Sequence, residues 1–128
     1  MEFFKIVAVN ISEEALVEKL QLEHLGHFSN ELFNLKDPGA EAVSIGGIWG
    51  EFTLRRSVIK GGLRFDLQEC PNALCWTVTA GYPPARDEVV LHLTINRQQK
   101  QPEFLEEIED FLSDHQSCLE EYLVGGST

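Results

Sequence analysis

The segment Pro102–Leu123, PEFLEEIEDFLSDHQSCLEEYL, decides the architecture. Phe104, Leu105, Ile108, Phe111, Leu112, Cys118, Leu119, Tyr122 and Leu123 recur at the three-and-four spacing of one helical stripe. The opposite face carries Glu103, Glu106, Glu107, Glu109, Asp110, Asp114, Glu120 and Glu121, with no Lys or Arg among them. Pro102 suits a first helical position, since its missing N–H has no helical partner there in any case. A helix so divided must lay its stripe on another layer. His115 falls inside the stripe, which favours packing over catalysis.

That other layer lies just upstream. From Ala42 to Asn96 the apolar period changes from helical to two. Phe52, Leu54 and Val58 alternate with polar residues, as do Leu63, Phe65 and Leu67. Gly61-Gly62 between them reads as a two-residue hairpin loop, which would set Val58 opposite Phe65 and Arg56 opposite Leu67. Leu74 to Ala80 and Val89 to Ile95 alternate likewise, and the Gly81–Asp87 loop, with Pro83 and Pro84, separates them. Ile45-Gly46-Gly47-Ile48 reads as a turn or bulge.

Toward the N-terminus, Phe3–Val9 is a nearly continuous apolar run, expected as a strand covered on both faces. Ser12 is placed to cap a helix that holds Leu16, Val17 and Leu20 on one face and stops at Gly26. Ser29–Leu35 suggests a second short helix or turn. The expected fold is therefore α+β: an antiparallel sheet of about five to six strands, an N-terminal helix, and the long acidic C-terminal helix packed on it. Residues 1–124 read as a single domain and 125–128 as a flexible tail; a chain of 128 residues can bury one sizeable core.

Charge constrains the partners. With 21 acidic against 10 basic residues the net charge is −11. Such a field repels phosphate backbones and anionic lipid, so direct nucleic-acid binding and membrane docking are disfavoured, and a basic protein is the expected partner. Excess acidity also serves solubility alone. Neither a signal peptide nor a membrane span is evident. Three cysteines, Cys70, Cys75 and Cys118, fit reduced thiols better than a disulfide framework, and a cytoplasmic location is expected.

Motifs that would fix a reaction are missing: there is no nucleophile elbow and no phosphate loop. No catalytic residue, cofactor or metal site is assigned. His24 and His27 lie three apart, but zinc needs a third ligand that no spacing supplies. Arg56 is the informative exception, because the hairpin pattern puts it on the apolar face between Leu54 and Val58. A guanidinium there must be paired, anchor an anionic ligand in a sheet–helix pocket, or escape through a bulge or an edge. Trp49, Tyr82 and Arg86 are residue types that anchor protein interfaces.

In size and acidity the chain is similar to small bacterial immunity, antitoxin and secretion-chaperone proteins, a likeness without a shared motif. The expected function is a non-catalytic protein-binding module of inhibitor, immunity or regulatory type. Its partner surface would comprise Trp49, Tyr82, Arg86, Glu103, Glu106, Glu107, Asp110 and Asp114. The alternatives are a small-molecule binder or minor enzyme with Arg56 holding an anionic group, and a homodimer serving as scaffold.

Overall fold

Alternating apolar residues along seven short segments build one antiparallel sheet, which a computed structural model describes over residues 1–70, 73–81, 86–96 and 102–125. Its strands are β1 (Glu2–Val7), β2 (Leu32–Asn34), β3 (Ala42–Gly47), β4 (Phe52–Ile59), β5 (Gly62–Gln68), β6 (Cys75–Ala80) and β7 (Val89–Thr94). Helices α1 (Glu13–Lys19) and α2 (Leu25–Phe28) follow β1, and α3 (Pro102–Gly125) closes the chain. The strands lie in the order β1-β7-β6-β5-β4-β3-β2. Consecutive strands from β2 to β7 are neighbours, and only β1 reaches across to pair with β7.

One face of the sheet is apolar. Leu54, Leu63, Phe65, Trp76, Val78, Leu91 and Leu93 are buried there against Leu16 and Leu20 of the α1 segment and against Ile108, Phe111, Leu112, Leu119 and Leu123 of α3. The predicted stripe of the last helix is thus the face that docks. Its contacts run to β1 and α2, while α1 lies on β5 and β6. Side-chain hydrogen bonds pin α3 in place. Gln116 Nε2 donates to the Ile6 carbonyl at 2.7 Å, and Asp114 accepts from the Asn30 backbone and side-chain N–H groups, both at 2.9 Å.

Several expectations are corrected. The sheet has seven strands rather than five or six, because Leu32–Asn34 is not helical but an edge strand, with Phe33 opposite Gly46. Gly46 and Gly47 therefore lie within β3 and not in a turn. A Cβ on Gly47 would sit 2.2 Å from the Glu31 carbonyl, and one on Gly46 would sit 2.9 Å from the Phe33 ring. The two glycines let β2 approach. The turn follows at Ile48-Trp49, where Gly50 N–H donates to the Gly47 carbonyl at 3.0 Å.

The hairpin register also differs. Ile59 pairs with Gly62, Val58 with Leu63 and Arg56 with Phe65, so the loop is Lys60-Gly61, not Gly61-Gly62. Gly61 takes the left-handed conformation the turn needs, at φ 93°. Gly62 belongs to β5, where a Cβ would lie 2.1 Å from the Val78 carbonyl. The slip is by two residues, so each side chain keeps its face. Val58, however, is 61 % exposed.

The first helix is shorter than expected. Ser12 does cap it, its Oγ accepting from Ala15 N–H at 3.1 Å, but α1 ends at Lys19 and Gly26 lies inside α2. Breaking the helix lets Leu20, Leu22, Leu25 and Phe28 all reach the core. β1, expected to be covered on both faces, is an edge strand with Phe4 52 % exposed. The predicted Arg97–Gln101 linker and most of the 125–128 tail lie outside the described residues.

Candidate functional site

A packed core should leave no polar atom without a partner, because desolvating a donor or acceptor unpaired costs about 1–3 kcal/mol. Here three residues that carry such atoms have their rings packed around one phenylalanine. Trp49 Nε1, Trp76 Nε1 and His115 Nε2 are buried without a hydrogen-bond partner among the described residues. The Phe111 ring centre lies 5.1 Å from that of Trp49, 5.1 Å from that of Trp76 and 5.4 Å from that of His115.

Each residue arrives from a different element. Trp76 is on the inner face of β6 between Phe65 and Leu93 of the adjoining strands. His115 projects from the buried stripe of α3. Trp49 sits at the β3–β4 turn and packs against Phe104 at 6.3 Å, near the start of α3. Trp49 and Phe104 are only partly buried, so they form the outermost layer of this cluster.

The tautomer of His115 follows from its one partner. Nδ1 lies 2.6 Å from the Phe28 carbonyl, which can only accept, so Nδ1 carries the proton and Nε2 presents a bare lone pair. Complete burial pushes the imidazole down to about 4, outweighing the opposing pull of the Phe28 carbonyl and of Asp114. The ring is neutral at pH 7. The cluster thus offers two N–H donors and one acceptor inside an apolar shell, with no formal charge on any of them.

Arg56 lies elsewhere and is already engaged. Its Nε donates to the Leu20 carbonyl at 2.9 Å and its Nη2 to the Val17 carbonyl at 2.6 Å. Val17 is in the last turn of α1 and Leu20 is its C-cap, where carbonyls have no helical partners. Tyr122 Oη and His24 Nδ1 meet the Lys19 carbonyl at 3.0 and 3.1 Å, and Gln21 Nε2 takes that of Glu18. Arg56 therefore acts as part of a side-chain cap on α1. Burial lowers its pKa. It also lines a groove of about 560 Å³ with Arg55, Ser57, Val58 and residues 40–42.

The residues expected to meet a protein partner differ in their exposure. Glu103, Glu106 and Asp110 are exposed on α3, Glu107 is half-buried, and Asp114 is occupied by Asn30. Lys5 reaches Glu109 at 3.4 Å. Arg86 is exposed, and Tyr82 lies outside the described residues. His27 stacks on Tyr122 with ring centres 5.3 Å apart, and among the described residues no cluster of three or more His, Cys, Asp or Glu is arranged to hold a metal. The three thiols are free; burial and the nearby Asp114 carboxylate push Cys118 up to about 11, an unreactive value.

The interior cluster was not singled out as a site by sequence. Trp76 and His115 were legible only as apolar-face residues, because nothing in a linear pattern tells that a ring nitrogen will lack a partner.

No family model matches the sequence, and no curated protein matches it. Solved structures do share its fold. XoxI from Bacillus cereus superposes with a TM-score of 0.65 at 12 % identity, covering 95 % of both chains. An uncharacterised Bacillus thuringiensis protein gives 0.64 at 11 % identity over 94 % of this chain and 97 % of its own. A START superfamily protein from Mycobacterium smegmatis gives 0.56 at 13 % identity over 93 % and 94 %. At these identities the likeness is one of fold alone.

Proposed function

We propose that this chain is a non-catalytic small-molecule-binding protein whose ligand lodges between the sheet and α3, in the ring cluster behind Trp49. The observation that carries it is the set of three nitrogens without a partner among the described residues, Trp49 Nε1, Trp76 Nε1 and His115 Nε2. Binding sites are commonly apolar walls with a few convergent polar groups. Two N–H donors and a neutral imidazole acceptor suit an uncharged, largely apolar molecule carrying an acceptor such as a carbonyl and a donor such as a hydroxyl. The rings around Phe111 fill this space without ligand, so entry requires Trp49 and Phe104 to swing aside. Both lie at the partly buried rim, and Trp49 sits on a turn next to Gly50, which is at φ 104°.

The test is direct. Natively purified protein is extracted with organic solvent and the extract analysed by mass spectrometry, and the emptied protein is titrated with the neutral fluorophore N-phenyl-1-naphthylamine. One equivalent of an uncharged molecule, or saturable one-to-one uptake of the fluorophore, is expected. A chain that purifies empty and takes up no fluorophore contradicts the proposal.

A second function is favoured by one observation: Glu103, Glu106 and Asp110 stand exposed on α3, with no ion pair among the described residues. That surface is offered to a basic protein partner, whose binding should weaken steeply with salt. Affinity capture at low salt followed by a salt step would find it; a partner held equally well at high salt would not fit.

A further inference from the structure

β4 is longer than the strand beside it. It runs from Phe52 to Ile59, whereas β3 covers it only as far as the Ala42–Arg55 pair. Just before that, the chain turns back on itself, Gly39 N–H donating to the Ala42 carbonyl at 3.1 Å. One more bond joins the two strands, from Arg56 N–H to the Glu41 carbonyl at 2.7 Å. Hydrogen-bonding direction alternates along an antiparallel strand. Since Arg56 N–H points toward β3, Val58 N–H, two residues on, points the same way, where no strand remains. The Val58 carbonyl faces the same side, because the N–H and C=O of one strand residue point the same way. Ser57 and Ile59 turn their groups to β5, opposite Arg64 and Gly62.

The result is a short open sheet edge inside a groove. Its volume is about 560 Å³, and its lining comprises Ala40, Glu41, Arg55, Arg56, Ser57 and Val58 among others. Val58 is 61 % exposed, the most exposed large apolar side chain of the described residues. Arg55 and Arg56 make no ion pair among the described residues, nor does Lys60, which follows Ile59 in the chain. In a chain of net charge −11 this is a local concentration of cations, with Glu41 the single carboxylate in the lining.

We propose that the β4 edge from Ser57 to Ile59 binds an extended acidic peptide as an added strand in line with β3. Main-chain pairing with the Val58 N–H and the Val58 carbonyl would hold the strand, as in other edge-addition complexes. Carboxylates on its flanks would meet Arg55 and Lys60, and an apolar side chain would cover Val58. Three residues of strand span roughly 10 Å, so the open edge takes a segment of about three residues. The surface is distinct from the ring cluster around Phe111, and neither depends on the other.

The test uses the whole chain labelled with nitrogen-15 and an acetylated, amidated pentapeptide alternating glutamate and valine. Titration should move the Val58 amide resonance downfield and slow its exchange with solvent. The same peptide N-methylated at its central amides should bind at least tenfold more weakly, as should a version with lysine replacing glutamate. Val58→Pro removes the edge donor without removing an internal hydrogen bond and should abolish binding; if that variant does not fold, the N-methylated peptide decides. Equal binding of parent and N-methylated peptides would overturn the proposal, leaving only an anion site. So would a Val58 amide already protected in a dimer of the chain without any peptide.

Discussion

Acidification should expose the buried imidazole at position 115. Its ordinary value is 6.5, and in the fold burial lowers it to about 4. Between those values the unfolded chain binds a proton that the folded chain refuses, so the contribution is fully present above 6.5 and is lost as pH falls toward 4. At roughly 1.4 kcal/mol per unit, the loss amounts to about 3 kcal/mol, a large part of a small domain's stability. The carboxylates also titrate there, so the wild type alone would mix two effects. His115→Gln separates them, since glutamine can still donate toward the Phe28 carbonyl but does not titrate. Urea unfolding of both proteins from pH 8 to 4 gives the difference directly. The wild type should lose about 3 kcal/mol relative to the variant, nearly all of it between 6.5 and 4. Two stability curves that stay parallel within about 0.5 kcal/mol would refute complete burial of a neutral ring.

Other substitutions probe separate parts of the account. Arg56→Met should cost about 2 kcal/mol, because the Val17 and Leu20 carbonyls lose charged donors, and urea unfolding should register it. If Arg56 instead anchors an anionic ligand, Arg56→Leu should remove that ligand's binding without such a loss of stability. Trp76→Phe removes an unpaired donor and some ring volume, so its stability change should stay within about 2 kcal/mol while fluorophore uptake falls roughly tenfold. Gly62→Ala would drive a methyl to 2.1 Å from the Val78 carbonyl and should cost about 3 kcal/mol or prevent folding. Gly26→Ala, with nothing within 4 Å of the added carbon, should be neutral or stabilise α2 by up to about 1 kcal/mol, as read by thermal melts.

Much of this architecture was legible in the residues. The α3 stripe and the alternation in β5 to β7 have long, unambiguous periods and dock as that pattern requires, whereas in β4 Leu54 docks and Val58 stays exposed. β2 was not legible, because three residues are too few for a period and the cause of its pairing lies in Gly46 and Gly47, twelve or more positions away. The hairpin register missed by two because either adjacent glycine can supply the left-handed turn. Contact with Val78, remote in sequence, makes the choice. For Arg56 the pattern leaves open pairing, an anionic ligand or escape through a bulge or an edge; its partners are backbone carbonyls at the end of α1, which composition cannot reveal. The ring cluster escaped notice for a similar reason: an unpaired nitrogen is a property of packing.

The two indole N–H resonances offer the sharpest single measurement, since Trp49 and Trp76 are the chain's two tryptophans. A nitrogen-15 spectrum recorded while N-phenyl-1-naphthylamine is added should show both signals moving together and saturating at one equivalent. Fluorophore binding that leaves both indole signals in place would show that the space between the sheet and α3 is closed packing, with no ligand site in it.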